Sequence, residues 1–276
     1  MTFNHNNEGI TINYKNKNII LNDLAVAEGL LTDDELLKYS EIILKFDQTL
    51  GRISTKELKP SDLKISGTKE LKDIHNPLPF YKYISKEDYE TFYSKGHFQL
   101  GTSKYYRDIE RIESKDGFEG YNISVLQVNN SHIPITLFRC NNYLILCGTS
   151  VKSAEYMYDK FGEVEMEIQD SESFAKNIAK SIGALNYTIA NVEYNNAKIA
   201  KSKHINIEQF SPQDFIHKEE IIELILSTSL YPSLYVKPKM FQQENELRIV
   251  FEMPNDYPTC YNFQDETLLN QINFNL

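Results

Sequence analysis

From Pro79 onward the chain alternates short apolar segments of period two with helical segments that open on a capping residue and close on glycine. That punctuation constrains the fold more than any other feature. Residues 80–84 predict an aromatic strand. Ser85 followed by Asp88 predicts a helix N-terminus, with Tyr89, Phe92 and Tyr93 on the inner face and Gly96 as the stop. Strands are expected at 98–100, 121–128, 133–139, 143–147, 164–168, 186–194 and 247–251. Helices are expected from Ser150 or Ser153 to 161, over 171–182 and over 218–230. Residues 104–120 read as a charged loop. Strands outnumber helices and many are sequential. This predicts an α+β fold with a mixed, largely antiparallel sheet and flanking helices, rather than a doubly wound parallel sheet.

The N-terminal part is patterned differently. Residues 9–21 alternate as a hairpin around Lys15-Asn16-Lys17-Asn18. Thr32 and Glu35 form a capping-box pair, and Leu36, Tyr39, Ile43, Phe46 and Leu50 follow as one helical stripe that Gly51 ends. Residues 52–79 are polar and contain Pro60, Pro77 and Pro79, the composition of a linker or covering segment. The expected organisation is a small N-terminal appendage over 1–70 and an α+β core over 71–276. A chain of 276 residues with 41% hydrophobic content is long enough for such a core.

The formal net charge of -10 argues against a general nucleic-acid-binding surface, since phosphate contacts need clustered Lys and Arg. No apolar run approaches the roughly 18 residues of a membrane span, and no charged start with an apolar run marks a secretory signal. Three cysteines, Cys140, Cys147 and Cys260, are an odd number without close spacing. They predict reduced thiols and a cytoplasmic protein without a membrane partner. No cysteine–histidine cluster has zinc spacing, so no metal ligand is assigned. The acidic residues Asp108, Glu110, Glu113, Asp116 and Glu119 fit no calcium-loop spacing and are interleaved with Arg107, Arg111 and Lys115. Glycine-rich nucleotide loops, a Gly-X-Ser-X-Gly elbow and a His-Glu-X-X-His helix are all missing. Cys147-Gly148-Thr149-Ser150 ends an expected strand, but no local pattern puts a base beside the thiol, and a structural role is expected for Cys147.

Three segments read together as a site. One is Phe80-Tyr81-Lys82-Tyr83-Ile84-Ser85. Another runs from His97 to Asp108 and holds Thr102, Ser103, Tyr105, Tyr106 and Arg107. The last runs from Lys237 to Phe251 and holds Glu244, Glu246 and Arg248. These three charges occupy alternate positions, so in an extended chain they share one face. They call either for an internally paired, exposed sheet face or for a site where a carboxylate meets a cation.

This order of segments resembles the ADP-ribosyltransferase-like superfamily, and within it small bacterial families of toxin and phage-defence context. There an aromatic-rich first strand leads into a glycine-closed helix, a second strand carries Ser, Thr or Tyr, and a late strand begins with a catalytic Glu, often as Glu-X-Glu. The resemblance spans roughly residues 79–252 and implies NAD as substrate. Cleavage of the nicotinamide–ribose bond develops oxocarbenium-like charge that a fixed carboxylate stabilises. By that resemblance Glu246 is the catalytic carboxylate and Glu244 positions the acceptor or stands in for it. Tyr81 or Tyr83 stacks on nicotinamide. Ser103 or Thr102 bonds the carboxamide or ribose, and Arg107 takes the pyrophosphate.

The function so implied is an NAD-consuming ADP-ribosyltransferase or NAD glycohydrolase of a bacterial or phage conflict system, acting on a protein, nucleic-acid or water acceptor. Lys82 stands between Tyr81 and Tyr83 where the family carries His or Arg. That departure supports an alternative, a non-catalytic scaffold that keeps the fold and binds a protein partner from the same operon. A metal-dependent nuclease built on the acidic loop ranks last.

Overall fold

The computed structural model describes residues 2–6, 9–14, 17–24, 27–28, 32, 34–38, 42, 65–67, 71, 75–108, 119–120, 122–140, 142–195, 199–208, 218–257 and 259–276. In chain order its elements begin with β1 (Thr2–Asn6), β2 (Gly9–Tyr14), β3 (Lys17–Leu24), β4 (Ala27–Glu28), α1 (helical at 34–38 and 42) and β5 (Ile65–Gly67). Then come β6 (Phe80–Ile84), α2 (Lys86–Thr91), β7 (His97–Gly101), α3 (Ser103–Asp108), β8 (Asn122–Val128), β9 (Ser131–Cys140) and β10 (Tyr143–Thr149). They are followed by α4 (Glu155–Phe161), β11 (Val164–Ile168), α5 (Ser171–Ile182), β12 (Asn186–Asn191), β13 (Glu193–Tyr194) and β14 (Ile199–Ile205). The chain ends with α6 (Glu219–Tyr235), β15 (Val236–Lys237), β16 (Glu246–Glu252), β17 (Cys260–Gln264) and β18 (Asn273–Asn275). The fold is α+β, as the strand-rich punctuation predicts.

Two compact units share this chain. The first takes Met1–Asp73, Asp116–Cys140 and Tyr194–Lys239; the second takes Ile74–Lys115, Asn141–Glu193 and Met240–Leu276. The boundary expected near residue 70 lies beside the Asp73/Ile74 division, but the first unit also draws on two later segments. Nothing local in those segments announces this, because membership depends on strand pairing across the sequence.

In the first unit the sheet order is β1-β2-β3-β9-β8-β14-β5, with β4 also on β9. Its pairs are antiparallel except that β14 runs parallel to β8 and β5. The expected hairpin is the β2–β3 pair, with Tyr14 opposite Lys17. The capping box forms as predicted: Thr32 N donates to Glu35 Oε2 at 2.7 Å and Glu35 N donates to Thr32 Oγ1 at 3.3 Å. Leu36 is buried, whereas Tyr39, Ile43, Phe46, Leu50, the Gly51 stop and most of the 52–79 segment lie outside the described residues. Helix α6 packs against β8 and β14, and its Ile221, Ile222 and Ile225 are fully buried. It runs five residues beyond the expected end at 230 and through Pro232. Burial of Tyr231, Leu234 and Tyr235 explains why tertiary packing overrides the proline there. A buried chain of hydroxyl and amide groups seats the same turn: Ser233 Oγ donates to Asn122 Oδ1 at 2.6 Å, Asn122 Nδ2 donates to Ser124 Oγ at 2.6 Å, and Ser124 and Ser229 hydroxyls meet at 2.7 Å.

The second unit is built on an antiparallel sheet of order β12-β16-β10-β6-β11-β18, with β7 and β17 branching from β10. One face is apolar. Phe80, Leu144, Leu146, Met166, Ile168, Leu247, Ile249 and Phe251 pack there with Phe174, Ala175, Ile178 and Ile182 of α5. Ser85 accepts from Asp88 N at 3.0 Å and caps α2; Gly96 and Gly183 take left-handed conformations at the predicted stops, φ +71° and +69°. Two expectations change. The start of the supposed charged loop at 104–120 is helix α3, because Thr102 Oγ1 accepts from Tyr105 N at 3.1 Å and caps it; residues 109–118 lie outside the described residues. After 251, where no element was expected, the chain adds β17 and β18 as partners for β7 and β11.

Candidate functional site

The opposite face of the second unit's sheet is polar and buried. Thr149 of β10 stands opposite Glu246 of β16 on one side and opposite Tyr81 of β6 on the other, and Tyr81 stands opposite Glu167 of β11. Directly paired residues of an antiparallel sheet project to the same face. Glu246, Thr149, Tyr81 and Glu167 therefore form one transverse row. At a strand spacing of roughly 4.8 Å, the Cα atoms of Tyr81 and Glu246 are about 10 Å apart. Two residues along lie Arg248 opposite Cys147, and Tyr83 opposite Glu165. A carboxylate and an aromatic ring some 165 residues apart in sequence are thus gathered on one face, together with a hydroxyl and a guanidinium.

The sheet splits at this place. β6 and β7 approach the same edge of β10, one at Thr149 and the other at Ile145. Between them the ladder is replaced by side chains. Lys82 Nζ donates to the Cys147 carbonyl at 3.1 Å, and Tyr106 Oη donates to the Ile145 carbonyl at 3.2 Å. Gly148 is required where β6 crosses, since a Cβ there would lie 2.4 Å from the Phe80 ring and 2.6 Å from the Tyr81 carbonyl oxygen.

Glu246 and Arg248 are an ion pair, Nε to Oε1 2.5 Å, with side chains only 3% and 1% exposed. Two charges buried this deeply persist only as partners. Glu244 departs from the expectation of a shared strand face. It ends a 3-10 turn (Lys239–Glu244), Asn245 is left-handed at φ +43°, and the strand begins at Glu246. The reversal at Asn245 breaks the alternation on which the expectation rests, and Glu244 instead pairs with Lys160 of α4 at 2.6 Å. The turn is pinned to β10, because Thr149 Oγ1 donates to the Asn245 carbonyl at 3.1 Å and Ser150 N donates to it at 3.3 Å.

Tyr83 Oη donates to Glu165 Oε2 at 2.5 Å and accepts from Ala154 N at 2.8 Å. Burial, reinforced by the Glu165 hydrogen bond, pushes its phenol well above the ordinary tyrosine range. Glu165 also accepts from Ser153 N at 2.7 Å and Asn275 Nδ2 at 3.0 Å. Lys152 meets Glu167 at 2.9 Å. Tyr106, half-buried on α3, lies beside Cys147, Glu246 and Arg248; burial of its hydroxyl, then Cys147 and Glu246, raise its pKa.

The structure gathers Tyr81, Tyr83 and Glu246 on one face and places Glu244 at its rim. Ser103, buried at the start of α3, follows a strand that touches β10 at Ile145, about 13 Å along the strand from Thr149. It is outside the row. Thr102 is engaged in capping α3 and in bonding the Thr259 carbonyl at 2.6 Å. Arg107 belongs to α3, and its side chain lies outside the described residues. Thr149 and Cys147 join the constellation without having been expected in it, while Arg248 and Tyr106 lie in the expected segments but carried no assigned role. The run Gly148-Thr149-Ser150 at the end of an expected strand was the signal for the first. Among the described residues no cluster of three or more His, Cys, Asp or Glu is placed to hold a metal ion. A cleft of about 740 Å³ lined by Leu71, Ile207, Glu220, Glu223, Leu224 and Leu230 belongs to the first unit and includes none of these groups. Among the described residues no helix is long and apolar enough to cross a membrane.

Comparison with protein-family models, curated proteins and solved structures finds no match.

Proposed function

We propose that the second unit binds NAD and cleaves its nicotinamide–ribose bond, as an ADP-ribosyltransferase or NAD glycohydrolase acting in the cytoplasm of a bacterial or phage conflict system. The observation that carries the reading is the row Glu246–Thr149–Tyr81, a carboxylate at the mouth of a strand, a hydroxyl and an aromatic ring on one face beside a split in the sheet. Glu246 opposes the positive charge developing on the ribose. Arg248 fixes the orientation of that carboxylate. Thr149 acts through the turn, holding the Asn245 carbonyl so that the strand begins where Glu246 can face the row. Tyr81 or Tyr83 supplies a face for the nicotinamide ring. Glu244 sits at the rim, where an acceptor approaches. The roles of Ser103 or Thr102 and of Arg107 toward carboxamide and pyrophosphate rest on the resemblance alone.

Glu246→Gln keeps the size of the side chain and removes its charge. With labelled NAD and a cell lysate, the native protein is expected to release nicotinamide or to label a macromolecule. The variant should lose at least about a hundredfold of that rate. A native protein that releases no nicotinamide, and whose melting temperature millimolar NAD leaves unmoved, sinks the reading.

Two observations favour a second reading. Glu246 is already neutralised by Arg248 in a nearly closed environment, and Lys82 occupies the position where the resembled family has His or Arg. A scaffold that keeps the fold without turnover fits both facts. It requires a stable complex with a protein encoded in the same operon and indifference to NAD; recovery of the tagged protein alone from its host counts against it.

A further inference from the structure

Helix α4 lies over Tyr81 of the row and Tyr83 beside it, and we infer that α4 with the bends before it is a latched lid on this polar face, Lys160–Glu244 being the latch. Its meaning as a gate to a nucleotide rests on the reading proposed above; the lid itself stands on packing. Met157 packs against Tyr81 and Tyr83, with Ala154 and Phe161 at the margin. The two rings are 6% and 5% exposed, so no planar ligand reaches either while α4 is in place.

The helix is held lightly. It has seven residues, Met157 alone is buried, and its N-cap Ala154 makes no side-chain cap bond. Helices this short do not persist by themselves, and elements with few buried apolar groups open first. What holds it is polar. Lys160 Nζ meets Glu244 Oε1 at 2.6 Å, 5.0 Å from the Phe161 ring centroid and 5.5 Å from those of Tyr156 and Phe241. Ahead of the helix, Lys152 reaches Glu167, and the Ser153 and Ala154 amides reach Glu165 and Tyr83. Both ends carry unusual backbone, Ser153 at φ +52° and Gly162 at φ +135°. Positions like these absorb the dihedral change of a hinge. The latch joins the lid to the turn that introduces Glu246, so opening α4 and freeing the mouth of β16 are one event.

The test uses the full chain without ligand. Lys160→Met keeps the apolar stem among its aromatic neighbours and removes the ammonium. Amide hydrogen exchange over residues 155–161 is expected to quicken about tenfold while α5 and β16 stay as they were, and nitration of Tyr81 and Tyr83 by tetranitromethane should quicken with it. Unchanged exchange in α4, or a rise shared equally by α5 and β16, overturns the lid. Nicotinamide release is scored separately. Selective opening in a protein that never consumes NAD supports the lid and defeats the nucleotide reading, whereas NAD turnover with unaltered exchange in the variant defeats the lid and spares that reading.

Discussion

At the scale of single residues, the Glu246–Arg248 pair decides most. Both charges are buried, so removing one takes from the other its ion-pair partner in a place where a charge is costly. Arg248→Ala is expected to cost about 3–5 kcal/mol in urea unfolding, and adding Glu246→Gln to it should recover part of the loss, because the uncompensated charge goes with it. An additive double variant instead would show that the two groups act independently. Sequence reasoning recognised that three alternating charges were out of place on a sheet face. Internal pairing is one of the two outcomes that pattern allows, though on a buried face rather than an exposed one; that the third charge turns away at Asn245 is not legible, since a left-handed asparagine depends on what the turn must meet on β10.

At the scale of elements, the close crossing of β6 over β10 depends on Gly148. A methyl group added there meets the Phe80 ring and the Tyr81 carbonyl well inside contact distance. Gly148→Ala should therefore lower stability by about 1–3 kcal/mol, read by urea unfolding, and disturb the row by moving Tyr81. Unaltered stability would mean that the two strands are farther apart than this. The elements themselves were largely legible. Ser85 with Asp88, Gly96, and the 171–182 helix closed by Gly183 all occur where local pattern puts them. The helical character of Ser103–Asp108 and the passage of α6 through Pro232 were not legible. In both, a capping threonine or a buried apolar face outweighs the charges or the proline that argued for an end.

At the scale of the whole molecule, acid should unfold the protein early. Hydrogen bonds depress the pKa values of Glu167, Asp170 and Asp265, through Lys152, Ser173 and Ser181 respectively. A carboxylate with a lowered folded value contributes stability that is complete above its unfolded value, about 4, and is lost as pH falls through the folded one. The melting temperature should hold down to about pH 5 and decline steadily below about pH 4. Lys152→Met should flatten that decline by removing the main cause of the Glu167 shift; an unchanged profile would assign the acid sensitivity elsewhere. Nothing in composition announced this, because each shift depends on a partner brought by folding.

Local sequence pattern is enough to set the α+β class, the capped and glycine-closed helices, the N-terminal hairpin, and the candidacy of Tyr81, Tyr83 and Glu246. These are decided by interactions between residues a few positions apart, where period and cap chemistry leave little choice. Long-range pairing alone sets that Thr149 stands between Tyr81 and Glu246, that β7 meets β10 at Ile145, that α4 covers the tyrosines, and that the first unit is assembled from three separate segments. Which strand edges meet, and in what register, is set by burying one face of each strand against partners that lie tens to more than a hundred residues away. No local pattern records that choice.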